Sequence, residues 1–293
     1  MSDKLGIVLT DRRIVAGRNG SIILNTRSCV TRLRQTGGLF CPGAVACISA
    51  ASIGVVSYPI KLGVVCDFDG ASFMLNKYLK DACRWYHRIN LKVNFAMRGC
   101  LTESEIRALS NCYPSRANQT FYMQEIIASI LGMDEGIVIY VADDFFEIAL
   151  LRDCRIKHLF VKERALEELR NGIMEFIDEH KLKIGEQTLQ MIISDFFCGK
   201  DILVHASHKI TAEPQELKLN STDYLLISSS WLNNVKDYIV TFIEKHNVED
   251  KLYLMSDFDN VDFLTHELSS RCNVKIRSMN NALEKIAINL SLR

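Results

Sequence analysis

Neither sign of charge dominates this chain. Lys plus Arg and Asp plus Glu number 35 each among 293 residues, so there is no global basic field of the kind that draws nucleic acid without sequence preference. Nucleic acid is not expected as a partner. Paired cysteines are missing too. The ten cysteines stand singly from Cys29 to Cys272 with no Cys-x-x-Cys, and no signal-peptide pattern precedes them. Reduced thiols in a cytoplasmic protein, most of them small buried hydrophobes, are the expectation. An unbroken apolar run of about 18 residues, the length a bilayer-spanning helix needs, is also absent. The nearest stretch, Leu39–Val56, is interrupted by Pro42, Gly43, Ser49, Ser52 and Gly54, which break it too often to span.

What is present is an ordinary globular composition, 48% hydrophobic and 24% charged, in a chain long enough for two domains of roughly 150 residues each. Its centre is the stretch Ile137–Lys157. Apolar runs at Ile137–Val141 and Phe145–Leu151 flank the acidic turn Asp143-Asp144, the signature of a hairpin in a buried sheet. A second hairpin signal opens the chain, where Leu5–Val15 and the strand from Ser21 flank Asn19-Gly20. Helical composition marks Phe73–His87 and Ser230–His246, and Leu91–Met97 reads as a strand. Glu163–Lys183 is helical by the spacing of Leu166, Leu169, Ile173, Phe176 and Ile177. Thr102 and Glu105 form a capping-box pattern. His205 and His208 fall on opposite faces of a strand with no local third ligand, so no metal site is expected.

Read in order, these segments resemble the MreB-type bacterial actins. Tyr58-Pro59-Ile60-Lys61-Leu62-Gly63-Val64-Val65-Cys66-Asp67-Phe68-Asp69 closely follows the family's Arg-Pro-Leu-Arg-Asp-Gly-Val-Ile-Ala-Asp-Phe-Asp. Ser21–Val30, Phe121–Gly132 and Ile184-Gly185-Glu186-Gln187-Thr188 are similar to further family motifs. The resemblance implies an α/β, actin-like (ribonuclease H-like, duplicated) two-domain fold with four subdomains around a central cleft. Domain I would take residues 1–136 and 276–293, with an outer subdomain at about 31–62. Domain II would take 137–275, with an outer subdomain at about 178–227.

The departures from the family gather at its three glycine-rich turns. Glycine lets backbone N–H groups approach a phosphate closely. Aligned on Glu147-Ile148-Ala149, the family's metal-facing Asp falls on Tyr140 and its glycines on Ala142, Asp143 and Asp144, while Phe145 and Phe146 replace its threonines. The Asp of the first loop falls at about Val8, and Leu9-Thr10-Asp11-Arg12-Arg13 contains no glycine. Ser256, Asp257 and Phe258 replace the cluster in the adenine-binding turn. Glu125 matches the family's water-positioning Glu, and without phosphates to act on it reads as a vestigial helix-dipole partner. Thr10, Arg12, Arg13 and Glu186 are the candidate remnants of nucleotide contact, Glu186 being equally a cap of its own helix. Trp85, Tyr86 and Ile89 occupy the place where some members touch the inner membrane. Aromatics beside basic residues suit that interface, although large aromatics more often bury.

The resemblance thus implies a cytoskeletal filament subunit or scaffold in bacterial cell shape, self-associating or co-assembling with other actin-like subunits. Its ATPase site would be inactive, with no cofactor or metal, and Phe145, Phe146 and Phe258 would hold the cleft shut in place of nucleotide. One alternative is a divergent ATPase that holds phosphates with Arg12 or Arg13 and a metal with Asp143 or Asp144. A small-molecule kinase of the same superfamily ranks last, because it needs intact phosphate loops.

Overall fold

The structure, a computed structural model, describes residues 4–61, 63–82, 91–96, 101–113, 118–122, 135–143, 145–153, 155–247, 251–258 and 260–292. The chain divides into two compact units. Unit 1 holds Met1–Asp134, Leu151–Lys157 and Ala282–Arg293, and unit 2 holds Glu135–Leu150 and His158–Asn281.

Unit 1 opens with an antiparallel meander of β1 (Lys4–Leu9), β2 (Arg13–Arg18) and β3 (Ser21–Arg27). The second reversal is the Asn19-Gly20 turn foreseen above, with φ of 50° and 80°. Positive φ at both central residues is the requirement that selects Asn-Gly there. A small three-stranded sheet follows from β4 (Val30–Leu33), β5 (Leu39–Pro42) and β6 (Gly54–Ser57), with α1 (Ala44–Ile53) between the last two. The pair β7 (Ile60–Lys61) and β8 (Val64–Val65) leads into α2 (Phe68–Ala82). Asp67 caps this helix, its Oδ1 accepting the Gly70 N–H at 3.0 Å, and a bidentate bond from Arg32 Nη2 at 2.7 Å to each carboxylate oxygen holds it in place. β9 (Lys92–Ala96), α3 (Glu103–Cys112) and β10 (Asn118–Tyr122) complete the run. β9 lies parallel to β1 and β10 parallel to β9, giving the order β10-β9-β1-β2-β3.

Unit 2 repeats the scheme. β11 (Gly136–Val141), β12 (Phe145–Arg152) and β13 (Arg155–Glu163) are followed by α4 (Glu167–Glu179), β14 (Leu182–Lys183) and α5 (Glu186–Cys198). β15 (Ile202–His208), β16 (Pro214–Leu219), α6 (Ser221–His246), β17 (Leu252–Ser256), α7 (Asp262–Cys272) and β18 (Ile276–Ser278) come next. The main sheet has the order β13-β12-β11-β17-β18, with β17 parallel to β11 and β18 parallel to β17. Its central strands are buried on both faces, so β11 and β12 read as continuous apolar runs. Leu169, Ile173 and Ile177 of α4, Ile192, Ile193 and Phe196 of α5, and Trp231, Val235 and Ile239 of α6 share one core with them.

The terminal helix α8 (Ala282–Leu292) returns to unit 1 and lies on β1 and β2. Two glycines make room for it. A Cβ on Gly17 would sit 2.6 Å from the Ala287 carbonyl oxygen, and one on Gly6 would sit 2.7 Å from the Ser291 nitrogen. Asn94 Nδ2 donates to the Leu290 carbonyl at 2.8 Å, and the Gly20 N–H donates to Ser291 Oγ at 3.0 Å.

Several expectations need correction. Leu5–Val15 is not one strand, because a turn at residues 10–12 splits it. The helix read from Ser230 begins at Ser221 and is capped by Asn220, whose Oδ1 accepts the Thr222 and Asp223 N–H groups. The helix read from Phe73 begins at Phe68. β18 belongs to the sheet of unit 2, so the return to unit 1 comes at Ala282 and not at residue 276. Thr102 and Glu105 do form the capping box. Among the described residues no helix is long and apolar enough to cross a membrane.

Candidate functional site

The first strand of each main sheet reverses through a tight turn, and the two turns close alike. In unit 1 the Thr10 N–H donates to the Arg13 carbonyl at 2.9 Å, and the Arg13 N–H donates to Thr10 Oγ1 at 3.1 Å. In unit 2 the Ala142 N–H donates to the Phe145 carbonyl at 2.9 Å. Each turn carries a sheltered aspartate, which must find donors because a buried carboxylate cannot go unpaired cheaply. Asp11 Oδ1 accepts the Gly63 N–H at 2.9 Å. Asp143 Oδ2 accepts Arg170 Nη2 from α4 at 2.7 Å.

Arg170 joins that turn to α5. Its Nη1 donates to Glu186 Oε1 at 3.0 Å, and the same oxygen accepts Gln190 Nε2 at 2.8 Å. Burial disfavours the guanidinium charge, but Asp143 and Glu186 outweigh it and hold the Arg170 pKa above its ordinary value.

The third turn follows β17. Parallel register sets Tyr140 opposite Met255 and Val141 opposite Ser256. This brings the Tyr140 hydroxyl to Asp257 Oδ1, to which it donates, while Ser256 Oγ donates to the Val141 carbonyl. The Phe258 N–H donates back to Ser256 Oγ at 3.3 Å. The ring of Phe258 stacks on Phe197 of α5, with centroids 4.1 Å apart and 22° between planes.

No protein-family model matches the sequence, and no curated protein matches it. Solved structures do. MreB5 of Spiroplasma citri bound to AMPPNP superposes with a TM-score of 0.85 at 14% identity, covering 100% of this chain and 96% of that one. The same protein bound to ADP gives 0.84 at 15% identity, with the same coverage. A MamK double helical filament gives 0.80 at 11% identity, covering 99% of this chain and 98% of that one. The chain has the MreB-type actin-like fold.

Within this actin-like fold, the site residues named from sequence fall into two sets. Tyr140, Ala142, Asp143, Ser256, Asp257, Phe258 and Glu186 all lie in unit 2, and the bonds above join them into two clusters. Val8, Thr10, Arg12 and Arg13 lie in unit 1. Val8 is buried in β1 opposite Val15. Arg13 donates to Asn25 Oδ1 through Nε at 3.1 Å, and Asn25 Nδ2 donates to Glu284 Oε1 of α8 at 2.6 Å. Arg12 is half-buried, and its carbonyl accepts the Ser28 N–H at 2.9 Å. Glu125, Asp144, Trp85, Tyr86 and Ile89 lie outside the described residues.

Two readings change. Glu186 does not cap its helix; Gly185 holds the cap position without a side-chain bond, and Glu186 turns to Arg170 and Gln190. The phenyl rings have partners inside their own unit. Phe146 packs with Phe160 and Tyr238, Phe258 with Phe197, and Phe145 edge-on with Tyr140. They are core residues of unit 2, since large rings bury wherever the sheet offers a helix to pack on. His205 and His208 go separate ways as their spacing indicates, His205 to Glu216 at 3.2 Å and His208 accepting the Thr211 N–H at 3.2 Å. Sequence reasoning missed Asp11, Arg170 and Gln190. The only available signal was a charged residue, Arg170, directly beside the buried Leu169 in the α4 stripe.

Proposed function

We propose that this chain is a subunit or scaffold of an actin-like filament in bacterial morphogenesis, assembling with itself or with related actin-like subunits, and that its nucleotide site no longer supports ATP hydrolysis. One observation carries the second half. At all three turns glycine is replaced by residues with side chains, and one backbone N–H is already bonded within the turn, from Thr10 to Arg13, from Ala142 to Phe145 and from Phe258 to Ser256. Phosphoryl transfer relies on such donors and on a carboxylate at the metal ion. Among the described residues of these turns in unit 2, Asp143 is bonded to Arg170 and Asp257 to Tyr140. Freeing Asp143 for a metal ion would break its charge-assisted bond from Arg170 and leave that guanidinium to Glu186, at a cost of roughly 1.5–3 kcal/mol. Among the described residues, the side chains at these turns do not fit a metal-bound triphosphate.

The filament half rests on the fold. Full-length likeness to MamK as it stands in a double helical filament supports assembly as the use of this fold here. Sedimentation of the purified protein with and without ATP and Mg²⁺ tests it. The expected result is polymer in the pellet to the same extent in both samples. A protein that stays in the supernatant in both, and that does not enter polymers of a related actin-like subunit, would overturn the assignment.

A further inference from the structure

Most cysteines here are scattered, but two meet where α1 packs beside the small three-stranded sheet of unit 1. Cys29, fully buried just before β4, and Cys47 of α1, 9% exposed, place their sulfurs 3.8 Å apart. The backbone holds them in register, because the Gly43 N–H donates to the Cys29 carbonyl at 2.8 Å just ahead of α1. Arg27 Nη1 donates to the Cys47 sulfur at 3.4 Å. The Cys29 thiol has two acceptors in reach, the Cys47 sulfur and the Gly43 carbonyl at 3.3 Å. A third sulfur, Cys41, lies in the same cluster but is bonded to Thr31 Oγ1 at 3.5 Å.

These contacts give the two thiols unequal roles. The hydrogen bond from Cys29 lowers the Cys47 pKa most, burial opposes it, and the Arg27 bond and charge complete a fall to about 6. Cys29 moves the other way, through the same hydrogen bond and through burial. Reactivity follows the thiolate. A disulfide needs sulfurs about 2 Å apart, so the pair must close from 3.8 Å, with Cys47 the less enclosed of the two.

We propose that Cys29 and Cys47 are a redox modification site, a thiol pair that a peroxide oxidises to a disulfide with Cys47 as the attacking sulfur and Cys29 as the resolving one. The Cys47 thiolate attacks the O–O bond of hydrogen peroxide, forming a sulfenic acid and releasing hydroxide, which is protonated to water. The Cys29 sulfur then attacks the Cys47 sulfur, the S–O bond breaks, and the departing hydroxide takes the Cys29 proton. Two thiols lose two electrons in all and one peroxide becomes two waters. The bond ties α1 covalently to the strand edge at β4, and a dithiol reductant reverses it.

The test treats the full chain with hydrogen peroxide, blocks remaining thiols and maps linked peptides by mass spectrometry without reduction. The expected product is one Cys29–Cys47 crosslink, with the loss of two of the ten thiols and their recovery after dithiothreitol. In Cys29→Ser the Cys47 sulfenic acid should persist and be captured by dimedone. Arg27→Gln should slow crosslinking about tenfold at pH 7 and move its pH profile upward. Retention of all ten thiols, a crosslink through Cys41, or overoxidation of Cys47 without a crosslink would each overturn the proposal. The linkage map of the unmodified chain decides the matter even where a variant fails to fold.

Discussion

The turns at Thr10–Arg13 and Ala142–Phe145 occupy the same place in two copies of one sheet scheme, yet they are secured by different means. In unit 1 the turn aspartate leans on a backbone amide, that of Gly63. In unit 2 it accepts from a side chain of another element, Arg170. The contrast extends beyond the turns. Unit 1 seats its terminal helix by backbone approach at Gly6 and Gly17, whereas unit 2 knits its turns with Tyr140, Asp257, Arg170 and Glu186. A backbone-held site is sensitive to added bulk. A side-chain-held site is sensitive to deletion.

The largest effect should come from bulk in unit 1. Gly17→Ala drives a methyl into the Ala287 carbonyl and should cost about 3 kcal/mol, read as an earlier urea midpoint and earlier amide exchange in α8. Next comes deletion in unit 2. Arg170→Met leaves Asp143 and Glu186 without their shared guanidinium and should cost about 2–3 kcal/mol. Adding Asp143→Asn should return part of the loss, and a double-mutant cycle measures how much. Tyr140→Phe withdraws the hydroxyl from the buried Asp257 carboxylate and should cost about 1–2 kcal/mol. Equal tolerance of all three changes would erase the contrast between the units.

Smallest is an effect of acid on unit 1. Burial pushes the Asp67 carboxyl up, but Arg32, the Gly70 N–H and Ser57 pull it further down, so its folded pKa lies below the usual carboxylate value. That contribution is present above the unfolded value of about 3.9 and is lost as pH falls through it toward the folded value. Asp67→Asn should therefore narrow the stability gap between pH 6 and pH 3. Arg32 is 34% exposed, so solvent screening keeps the change below about 1 kcal/mol. Unfolding curves at the two pH values provide the check.

What the sequence made legible was local. Asn19-Gly20, the Thr102–Glu105 capping box and the apolar stripe through Leu169 and Ile173 each write their structure within a few residues. The hairpin at Asp143 was visible as well, because two apolar runs bracket it. Residue patterning hid the Thr10–Arg13 turn inside Leu5–Val15, since it uses no glycine and closes with the threonine side chain, and the family resemblance alone pointed to it. Arg170 with Asp143, and Gly6 with α8, join residues far apart in the chain and leave no periodic trace. For the same reason the substituted turns could be named from sequence, but not the partners that satisfy them.

Calorimetric titration of the purified chain with ATP and Mg²⁺ decides whether the substituted turns still hold a nucleotide. The expected result is no saturable heat, from a sample that still pellets as polymer. Saturable micromolar binding that is lost in Arg12→Ala or Arg13→Ala would contradict it and return the protein to the nucleotide-controlled actins.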